Sequence, residues 1–235
     1  RVRVLRDGQN KGLPARLNEI VRLAKGELVA RMDADDAMHP LRLEKQVGFL
    51  QANPELDGVT TGAYLIDAED RPIALLPGRQ PSAQEVLARG GFLHPSLLAR
   101  KSWFEAHPYS LDYPRAEDRE LFVRTFKTSR LHVLSEPLYF YRWFGVPRGK
   151  TLRIGYRSER KVMWKYGPNL VGWGPSLRLI ALSFGKELLT WFLEWTHLEK
   201  GFQTRRAFQP LLEMDQREAL RTLKVIRETC VPGWD

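Results

Sequence analysis

The first 145 residues alternate between short apolar runs and longer stretches whose apolar residues recur at helical spacing. The apolar runs predict strands at residues 2–5, 28–32, 58–66, 131–134 and 138–141. Helix start and stop signals predict helices at residues 13–25, 40–52, 83–89 and 118–126. Strands that alternate with helices at this spacing indicate an α/β layer with a largely parallel sheet.

After Gly145 the pattern becomes helical, and one apolar stripe keeps helical spacing through Leu177, Ile180, Ala181, Phe184, Leu188, Trp191 and Trp195. Charged residues interrupt this segment, and a Lys or Arg at mid-membrane costs about 2.5–3.5 kcal/mol, so we do not expect it to span a bilayer. Two interpretations remain. The stripe packs on the α/β core, or it lies flat in a membrane interface with its tryptophans at headgroup depth.

The net charge of +9 is concentrated in the C-terminal third of the chain. Residues 1–147 carry 21 Lys and Arg against 19 Asp and Glu, whereas residues 148–235 carry 16 against 9. This surface suits anionic lipid, nucleic acid or a phosphorylated substrate, or it is the solvated side of basic helices. The single cysteine, Cys230, excludes an intramolecular disulfide and fits a reducing compartment.

The cluster Asp33-Ala34-Asp35-Asp36 directly follows a predicted buried strand. Three carboxylates in four residues repel one another, and a strand end holds them most readily where a cation or a hydrogen-bonded ligand compensates the charge. Mg²⁺ and Mn²⁺ take carboxylate oxygens and complete their shells with substrate phosphates. The cluster therefore predicts a metal-assisted site for a phosphorylated substrate, with a solvated acidic turn that caps the next helix as the alternative.

A second acidic pair, Glu117-Asp118, opens a predicted helix. Carboxylates in a first turn are favoured by the helix dipole, so a plain capping role is one interpretation. The other is a general base that removes a proton from an acceptor hydroxyl.

The turn from Asn10 to Gly12, with Arg16 and Asn18 on the helix that follows, offers backbone N–H groups and a cation to phosphate oxygens. An Asn-x-Gly turn before a helix is also common as an ordinary connection with no binding role. The segment His94-Pro95-Ser96 adds a histidine. A lone histidine is more often structural than catalytic, so no proton-transfer role is assigned to it.

The order of these elements resembles the family 2 glycosyltransferases, over roughly residues 1–145. The resemblance rests on six motifs in sequence, which are Asn10-x-Gly12, Ala15-Arg16-x-Asn18, Ala24-x-Gly26-Glu27, Met32-Asp33-Ala34-Asp35-Asp36, His94-Pro95-Ser96 and Glu117-Asp118. It implies a GT-A (Rossmann-like) α/β nucleotide-sugar-binding domain at residues 1–147, followed by a basic, mainly helical extension at residues 148–235.

The resemblance also implies roles for particular residues. Asp118 is the expected catalytic base, and Glu117 supports it. Nucleotide-sugar binding is expected from Asn10, Gly12, Arg16, Asn18, Asp33, Ala34, Asp35 and His94. A divalent cation, Mn²⁺ or Mg²⁺, is expected at Asp35 and Asp36, where it would meet the donor diphosphate.

Two departures from the family pattern refine the expectation. The family's first strand, with its early uracil-binding aspartate, is absent, and the chain opens inside a predicted strand without a signal peptide, so we expect an N-terminally incomplete domain. Processive members carry a Gln-x-x-Arg-Trp signature, whereas here Arg142-Trp143 lacks the glutamine. We therefore expect a non-processive enzyme.

Together these features predict an inverting, metal-dependent transferase that moves a sugar from a UDP- or GDP-linked donor to a glycan or lipid-linked acceptor, in cell-envelope polysaccharide synthesis. The expected location is cytoplasmic, with peripheral contact to the inner face of the plasma membrane as an extension of the hypothesis and no nucleic-acid partner. Three rivals stay open: a sugar-phosphate nucleotidyltransferase, a non-catalytic basic module that binds membrane or nucleic acid, and a folded but inactive transferase.

Overall fold

A computed structural model describes residues 3–113, 115–145, 149–196 and 210–229. The strands are β1 (Leu28–Ala30), β2 (Ala37–Met38), β3 (Gly58–Ile66), β4 (Pro72–Leu76), β5 (Leu98–Arg100) and β6 (Leu131–Arg142). The helices are α1 (Leu13–Leu23), α2 (Arg42–Ala52), α3 (Ala83–Arg89), α4 (Lys101–Ala106), α5 (Glu117–Thr125), α6 (Lys150–Val171), α7 (Trp173–Trp195) and α8 (Glu213–Glu228).

The six strands form one mixed sheet in the order β1-β5-β3-β6-β2, and β4 pairs with the far part of β3. Among the described strands, β3 and β6 are the parallel pair, and the other pairings are antiparallel. The α/β class is confirmed, but the predicted largely parallel sheet is wrong. A strand reverses direction whenever its connection is a hairpin rather than a crossover, as between β3 and β4, and the helix–strand alternation did not reveal this turn.

Most local predictions agree with the structure. The strand at 58–66 has the predicted bounds, and the capping box at the start of α3 is present, because Ser82 Oγ accepts from the N–H of Glu85 while the Glu85 carboxylate accepts from the N–H of Ser82. The two predicted strands at 131–134 and 138–141 are one strand, β6. Residues 3–5 are not in a strand, so the first predicted strand is wrong for its described part; Val4 is exposed and no described strand pairs with it.

Helix α2 buries two polar side chains in addition to part of its apolar face. Arg42 and Gln46 are fully buried together with Leu50, whereas Leu43 is exposed. The Arg42 guanidinium donates to Gln46 and to the carbonyl of Arg31, and the Gln46 amide donates to the carbonyls of Val59 and Ser96. These bonds satisfy backbone groups beneath the end of β1, so α2 supports the segment that leaves this strand.

The main core lies between the sheet and helices α3, α5 and α6, where Val86, Leu121, Phe122 and Val162 are completely buried. Helix α6 belongs to this core and does not stand apart from it. Its Tyr166 hydroxyl donates to the buried Glu120 at 2.7 Å. The predicted helical character of the C-terminal region is therefore confirmed, and the first of its helices is packed on the α/β part.

The long helices α6 and α7 pack against each other, while α8 covers β4 and contributes Ala219 and Leu223 to a smaller core with Tyr64 and Phe140. No helix in the described ranges is long and apolar enough to cross a bilayer. The interpretation that the α7 stripe packs on the core is wrong for most of its residues. Leu179 and Ile180 touch the core, but the rest of the stripe points outward.

Candidate functional site

The acidic loop, residues Asp33–Asp36, connects opposite edges of the sheet. The chain leaves β1 at one edge and rejoins the sheet as β2 at the other. Arg31 N–H still bonds to the carbonyl of Leu97 at 2.8 Å, and a turn then closes with a 3.4 Å contact from Asp36 N to Asp33 O. Ala34 and Asp35 are exposed at its tip, whereas Asp33 and Asp36 are half-buried at its base.

Two residues of β6 hold this loop in place. The buried Tyr139 hydroxyl donates to Asp36 Oδ2 at 2.8 Å and accepts from the N–H of Asp33 at 3.2 Å. Arg142 donates through its backbone N–H to Asp36 Oδ1 at 2.7 Å and through Nε to the carbonyl of Asp35 at 2.7 Å. Both Asp36 oxygens thus accept protein hydrogen bonds. The Asp36 carboxylate therefore stabilises the conformation of the loop.

Arg142 also links the loop to α8. Its Nη1 donates to the carbonyl of Asp67 at 2.7 Å, and its Nη2 pairs with the Asp70 carboxylate. The other oxygen of Asp70 pairs with Arg227 of α8 at 2.7 Å. These two cations lower the pKa of Asp70, Arg227 more than Arg142. Arg142, which the sequence marks only as part of an incomplete Gln-x-x-Arg-Trp signature, therefore supports the acidic loop.

Two carboxylates of the loop have raised pKa values because they are partly buried. Burial raises the pKa of Asp36 from its ordinary 3.8 to about 6, although hydrogen bonds from Arg142 and Tyr139 oppose the change. Burial also raises the pKa of Asp33; the Arg31 charge opposes this, whereas the charges of Asp35 and Asp118 add to it. Because the charge of Asp118 contributes to the shift at Asp33, the start of α5 is near enough to the acidic loop for their charges to interact.

Arg31 is a candidate site residue that the sequence reasoning missed. Its side chain is 8% exposed, and its Nη2 pairs with Asp33 Oδ1 at 2.7 Å. Its Nε and Nη1 are buried and have no hydrogen-bond partner among the described residues. A buried guanidinium with free donors costs stability, which makes it a candidate for binding an anionic or hydroxyl-rich ligand. The only signal in the sequence was a cation directly before the acidic cluster.

The pair Glu117-Asp118 forms the first turn of α5, and both side chains are partly buried. Burial, and then the charge of Asp118, raise the pKa of Glu117. Asp118 Oδ1 accepts the N–H of Arg119 at 2.7 Å. Just before the helix, Arg115 has a φ of 71°, a left-handed conformation that is uncommon outside glycine and often found near functional sites. The two carboxylates are adjacent in the sequence, and their charges interact.

His94 and Asn18 meet at Tyr109 rather than at an open pocket. His94 Nε2 and the Tyr109 hydroxyl are 2.8 Å apart, and burial holds the pKa of His94 well below its ordinary value. The Asn18 side chain exchanges two hydrogen bonds of 2.9 Å with the backbone of Tyr109. Burial raises the pKa of the Tyr109 hydroxyl, and the charges of Arg31, Asp118 and Glu117 also act on this pKa. Both predicted residues thus lie behind the acidic groups as structural supports; their contact with a donor stays a prediction.

The predicted phosphate-binding turn is built mainly from its own side chains. Asn10 Oδ1 accepts the N–H of Gly12, whose φ of 78° precedes α1. Arg16 donates to Asp7 and Glu19 at 2.8 and 2.7 Å, and these bonds raise its pKa. The turn is exposed, and its cation is already paired with two carboxylates. Its proposed role at the nucleotide is therefore a prediction that the geometry neither requires nor opposes.

The acidic loop has the right kind of donors for Mg²⁺ or Mn²⁺, which take carboxylate oxygens. Asp35 is the exposed carboxylate of the loop, and Asp33 is partly exposed at its base. Within the described ranges, no three His, Cys, Asp or Glu side chains come close enough to hold a metal ion between them. Of the two residues predicted as metal ligands, Asp35 is exposed at the tip of the loop. Both carboxylate oxygens of Asp36, in contrast, already accept hydrogen bonds.

An open depression of about 390 Å³ lies elsewhere, lined by Lys25, Gly26, Glu27, Arg100, Lys101 and Ser102. Leu28 is paired with Arg100 at the beginning of β1, whereas the acidic loop follows the end of β1. The depression is therefore at the other end of this strand and contains none of the predicted site residues.

Comparisons with known proteins agree with the class that the fold and the site define, an α/β domain with carboxylates at a strand end. Residues 1–111 match the family model for glycosyl transferase family 2. EpsE of Bacillus subtilis (strain 168) is 32% identical over 148 residues, which cover 60% of this chain and 52% of that protein. The O-antigen biosynthesis glycosyltransferase WbnJ of Escherichia coli is 33% identical over 131 residues, which cover 54% and 51%.

Among solved structures, S. aureus TarS 1–349 aligns with 91% of this chain and 59% of its own, at 16% identity and a TM-score of 0.49. The chain spans about half the length of the curated relatives it matches. Residues 1–111 are thus similar to glycosyltransferase family 2, in agreement with the resemblance seen in the sequence. The predicted α/β class with a helical C-terminal region is confirmed by the strands and helices of the structure, and GT-A stays the predicted form of that class.

Proposed function

We propose that this protein is a nucleotide-sugar-dependent glycosyltransferase that inverts the anomeric centre and adds single sugars to a glycan or lipid-linked acceptor. The observation that carries the proposal is the shared electrostatic neighbourhood of Asp33, Asp35 and Asp118, next to the free donors of buried Arg31. Such a site has a place for a donor's diphosphate and a base for the acceptor. The similarity to WbnJ, an O-antigen biosynthesis glycosyltransferase, supports a role in cell-envelope polysaccharide synthesis.

In this proposal each acidic motif has its own task. Asp118 accepts the proton of the acceptor hydroxyl as that oxygen attacks the anomeric carbon from the face opposite the leaving group. Glu117 lies beside Asp118 in the first turn of α5, where burial and then the charge of Asp118 raise its pKa, and it is proposed to support the base. Arg31 donates to oxygens of the bound donor and thereby satisfies its two buried N–H groups.

A divalent cation held by Asp35, with Asp33 beside it, would neutralise charge on the departing nucleoside diphosphate. Asp36 was also predicted as a ligand; we now propose that it acts indirectly, because its oxygens bind Tyr139 and Arg142 and so set the position of Asp35. Asn10, Gly12, Arg16 and Asn18 are proposed to border the nucleotide, Ala34 to contact it through the loop backbone, and His94 to support the sugar side.

The wider setting is also part of the proposal. Residues 1–147 are proposed as the catalytic domain and 148–235 as an extension that packs on it through α6. The donor is a UDP- or GDP-linked sugar, and the reaction takes place in the cytoplasm. The acceptor is expected at the inner face of the plasma membrane, and no nucleic acid takes part.

The decisive experiment is a thermal-shift screen of UDP- and GDP-sugars, with and without Mn²⁺ or Mg²⁺, followed by assay of the released product. A true donor should raise the melting temperature progressively once its concentration exceeds its Kd, because the stabilisation grows with the logarithm of concentration over Kd. Release of nucleoside diphosphate supports sugar transfer. Release of pyrophosphate would instead indicate a nucleotidyltransferase, and the absence of stabilisation by any donor would contradict the proposal.

Asp118→Asn separates chemistry from binding. Loss of the base should lower kcat by about 10²–10⁴ while donor-dependent stabilisation stays unchanged. Asp35→Asn should instead abolish the metal-dependent part of that stabilisation. Asp112→Asn is the matched control, since Asp112 is an exposed carboxylate in the loop before α5. Loss of donor binding together with kcat in Asp118→Asn would contradict its assignment as base.

A further inference from the structure

Helix α7 is packed with its polar side inward. Its Glu187 pairs with Arg160 and Arg157 of α6, and its Glu194 pairs with Arg153. Arg160 also donates to the buried Ser183 at 3.3 Å. An ordinary surface helix buries its apolar stripe and exposes its charges, and most of α7 does the reverse. Because these ion pairs fix the polar side against α6, the helix cannot rotate to bury its apolar side without breaking them.

The outer face of α7 is correspondingly apolar and aromatic. Leu188, Trp191 and Trp195 are 70%, 62% and 75% exposed. We define this outer face as Trp173, Leu177, Phe184, Leu188, Trp191, Phe192 and Trp195, all of which are exposed. At one end the Trp173 ring touches the exposed Trp164 of α6, with ring centres 5.9 Å apart. A contiguous apolar surface of this kind marks an interaction site rather than chance exposure.

The charges around the outer face are all of one sign. Helices α6 and α7, which are fully described, contain three carboxylates, Glu159, Glu187 and Glu194, and each is paired with an arginine. Their exposed charged residues are all cations: Lys150, Arg157, Lys161, Lys165, Arg178 and Lys186. Trp164 lies on the same side of α6 as Arg157, Lys161 and Lys165, so the cations border the aromatic end of the outer face.

We propose that the outer face of α7 and the flanking cations of α6 dock onto an anionic phospholipid membrane. Tryptophan rings with an apolar body and a polar N–H prefer the depth of the headgroups, where lysines and arginines reach the lipid phosphates. A second copy of this chain would bring the same flanking cations of α6, Arg157, Lys161 and Lys165, to the contact, and like charges would oppose that pairing. The surface is defined without reference to sugar transfer, so this inference goes beyond the proposed function.

Vesicle co-sedimentation of the full chain without donor tests the proposal. The wild-type protein should bind vesicles that contain phosphatidylglycerol and should bind pure phosphatidylcholine much more weakly. Removing two flanking cations of α6 in Lys161→Gln/Lys165→Gln should weaken binding by roughly 30-fold, since each cation near such a surface contributes about fivefold. Binding should also weaken as NaCl is raised.

The apolar part has its own variants and matched controls. Leu188→Gln/Trp191→Gln should reduce vesicle binding at least about tenfold, since these side chains insert their apolar area. Met214→Gln/Leu220→Gln removes exposed apolar residues of α8, and Arg22→Gln/Lys25→Gln removes two exposed cations near the end of α1; both pairs should leave binding unchanged. All of these positions are exposed, and equal melting temperatures will confirm that the variants fold.

Four outcomes would overturn the proposal. The wild-type chain would fail to bind anionic vesicles, or the control pairs would weaken binding as much as the test pairs. Brominated lipids would fail to quench the tryptophan fluorescence of the wild-type protein, including the part that is lost in Leu188→Gln/Trp191→Gln. A stable dimer, dissociated by Leu188→Gln/Trp191→Gln and indifferent to vesicles, would assign the face to a second copy. Donor-dependent stabilisation is measured separately, so failure of vesicle binding leaves the transferase proposal standing.

Discussion

Replacing Tyr139 with Phe removes one oxygen atom from the support of the acidic loop. The ring is fully buried on β6, and the Arg42 guanidinium carbon lies 5.0 Å from its centre. Phe preserves this packing and the cation–π contact. What is lost is the bond donated to Asp36 at 2.8 Å and the bond accepted from Asp33 N–H at 3.2 Å. The substitution therefore isolates the hydroxyl from the rest of the side chain.

The magnitude follows from these two bonds. A hydrogen bond to a charged group contributes about 1.5–3 kcal/mol and a neutral one about 0.5–1.5 kcal/mol. Because Asp33 and Asp36 are only half-buried, water replaces part of the loss, and we expect a net decrease of about 1–2 kcal/mol in the free energy of unfolding. For a chain of this size the melting temperature should fall by about 2–8 °C. The Asp36 carboxylate also loses a donor, so its pKa should rise further above about 6.

Urea unfolding and an NMR titration of Asp36 measure the two effects, and titration with the donor found in the thermal-shift screen measures the functional one. We expect donor affinity to fall about tenfold, because Asp35 is no longer held in place. Tyr64→Phe is the matched control, since Tyr64 is buried on the neighbouring strand and its hydroxyl has no hydrogen bond to the described residues. Equal losses in both variants, or an unchanged Asp36 pKa in Tyr139→Phe, would refute the reasoning.

Two further substitutions address charge. Because the folded protein binds a proton at Asp36 more tightly than the unfolded chain does, this residue costs stability as pH rises from about 4 to about 6. Between pH 4 and pH 7 the free energy of unfolding of Asp36→Asn should therefore rise by about 1 kcal/mol relative to that of wild type, a value reduced because the side chain is half-exposed. Urea unfolding at both pH values measures this change. A difference between variant and wild type that is the same at both pH values would contradict it. Arg31→Met should lower donor affinity at least about tenfold while the melting temperature holds or rises, because a buried guanidinium with two unpaired N–H groups is costly; a large loss of stability with donor affinity retained would show a purely structural role.

The helix boundaries were predictable because their signals are local. The capping box at Ser82 and the proline in the first turn of α1 act through neighbouring backbone groups, and both helices are found where these signals placed them. The two acidic motifs were also visible in the sequence. Three carboxylates after an apolar run are costly to bury without a compensating cation or ligand, so the sequence already indicated a candidate binding site there.

The support of that site could not be predicted in the same way. Tyr139 and Arg142 reach the acidic loop from more than 100 positions away in sequence, across a pairing of β2 with β6 that no local pattern encodes. Helix α2 likewise buries Arg42 and Gln46 beside Leu50, because these two polar side chains donate to backbone carbonyls of other elements. Burial of polar groups depends on partners, and those partners are set by tertiary contacts.

Helix α7 shows the division most clearly. Its amphipathic spacing was evident from the sequence, but spacing defines a stripe and not the direction in which it points. The ion pairs of Glu187 and Glu194 with the arginines of α6 turn the polar side inward and leave Trp191 and Trp195 outside. The sequence by itself determined which residues share a face, because helical geometry is local. Only the tertiary structure decided which face meets the protein, because that depends on charges carried by another helix.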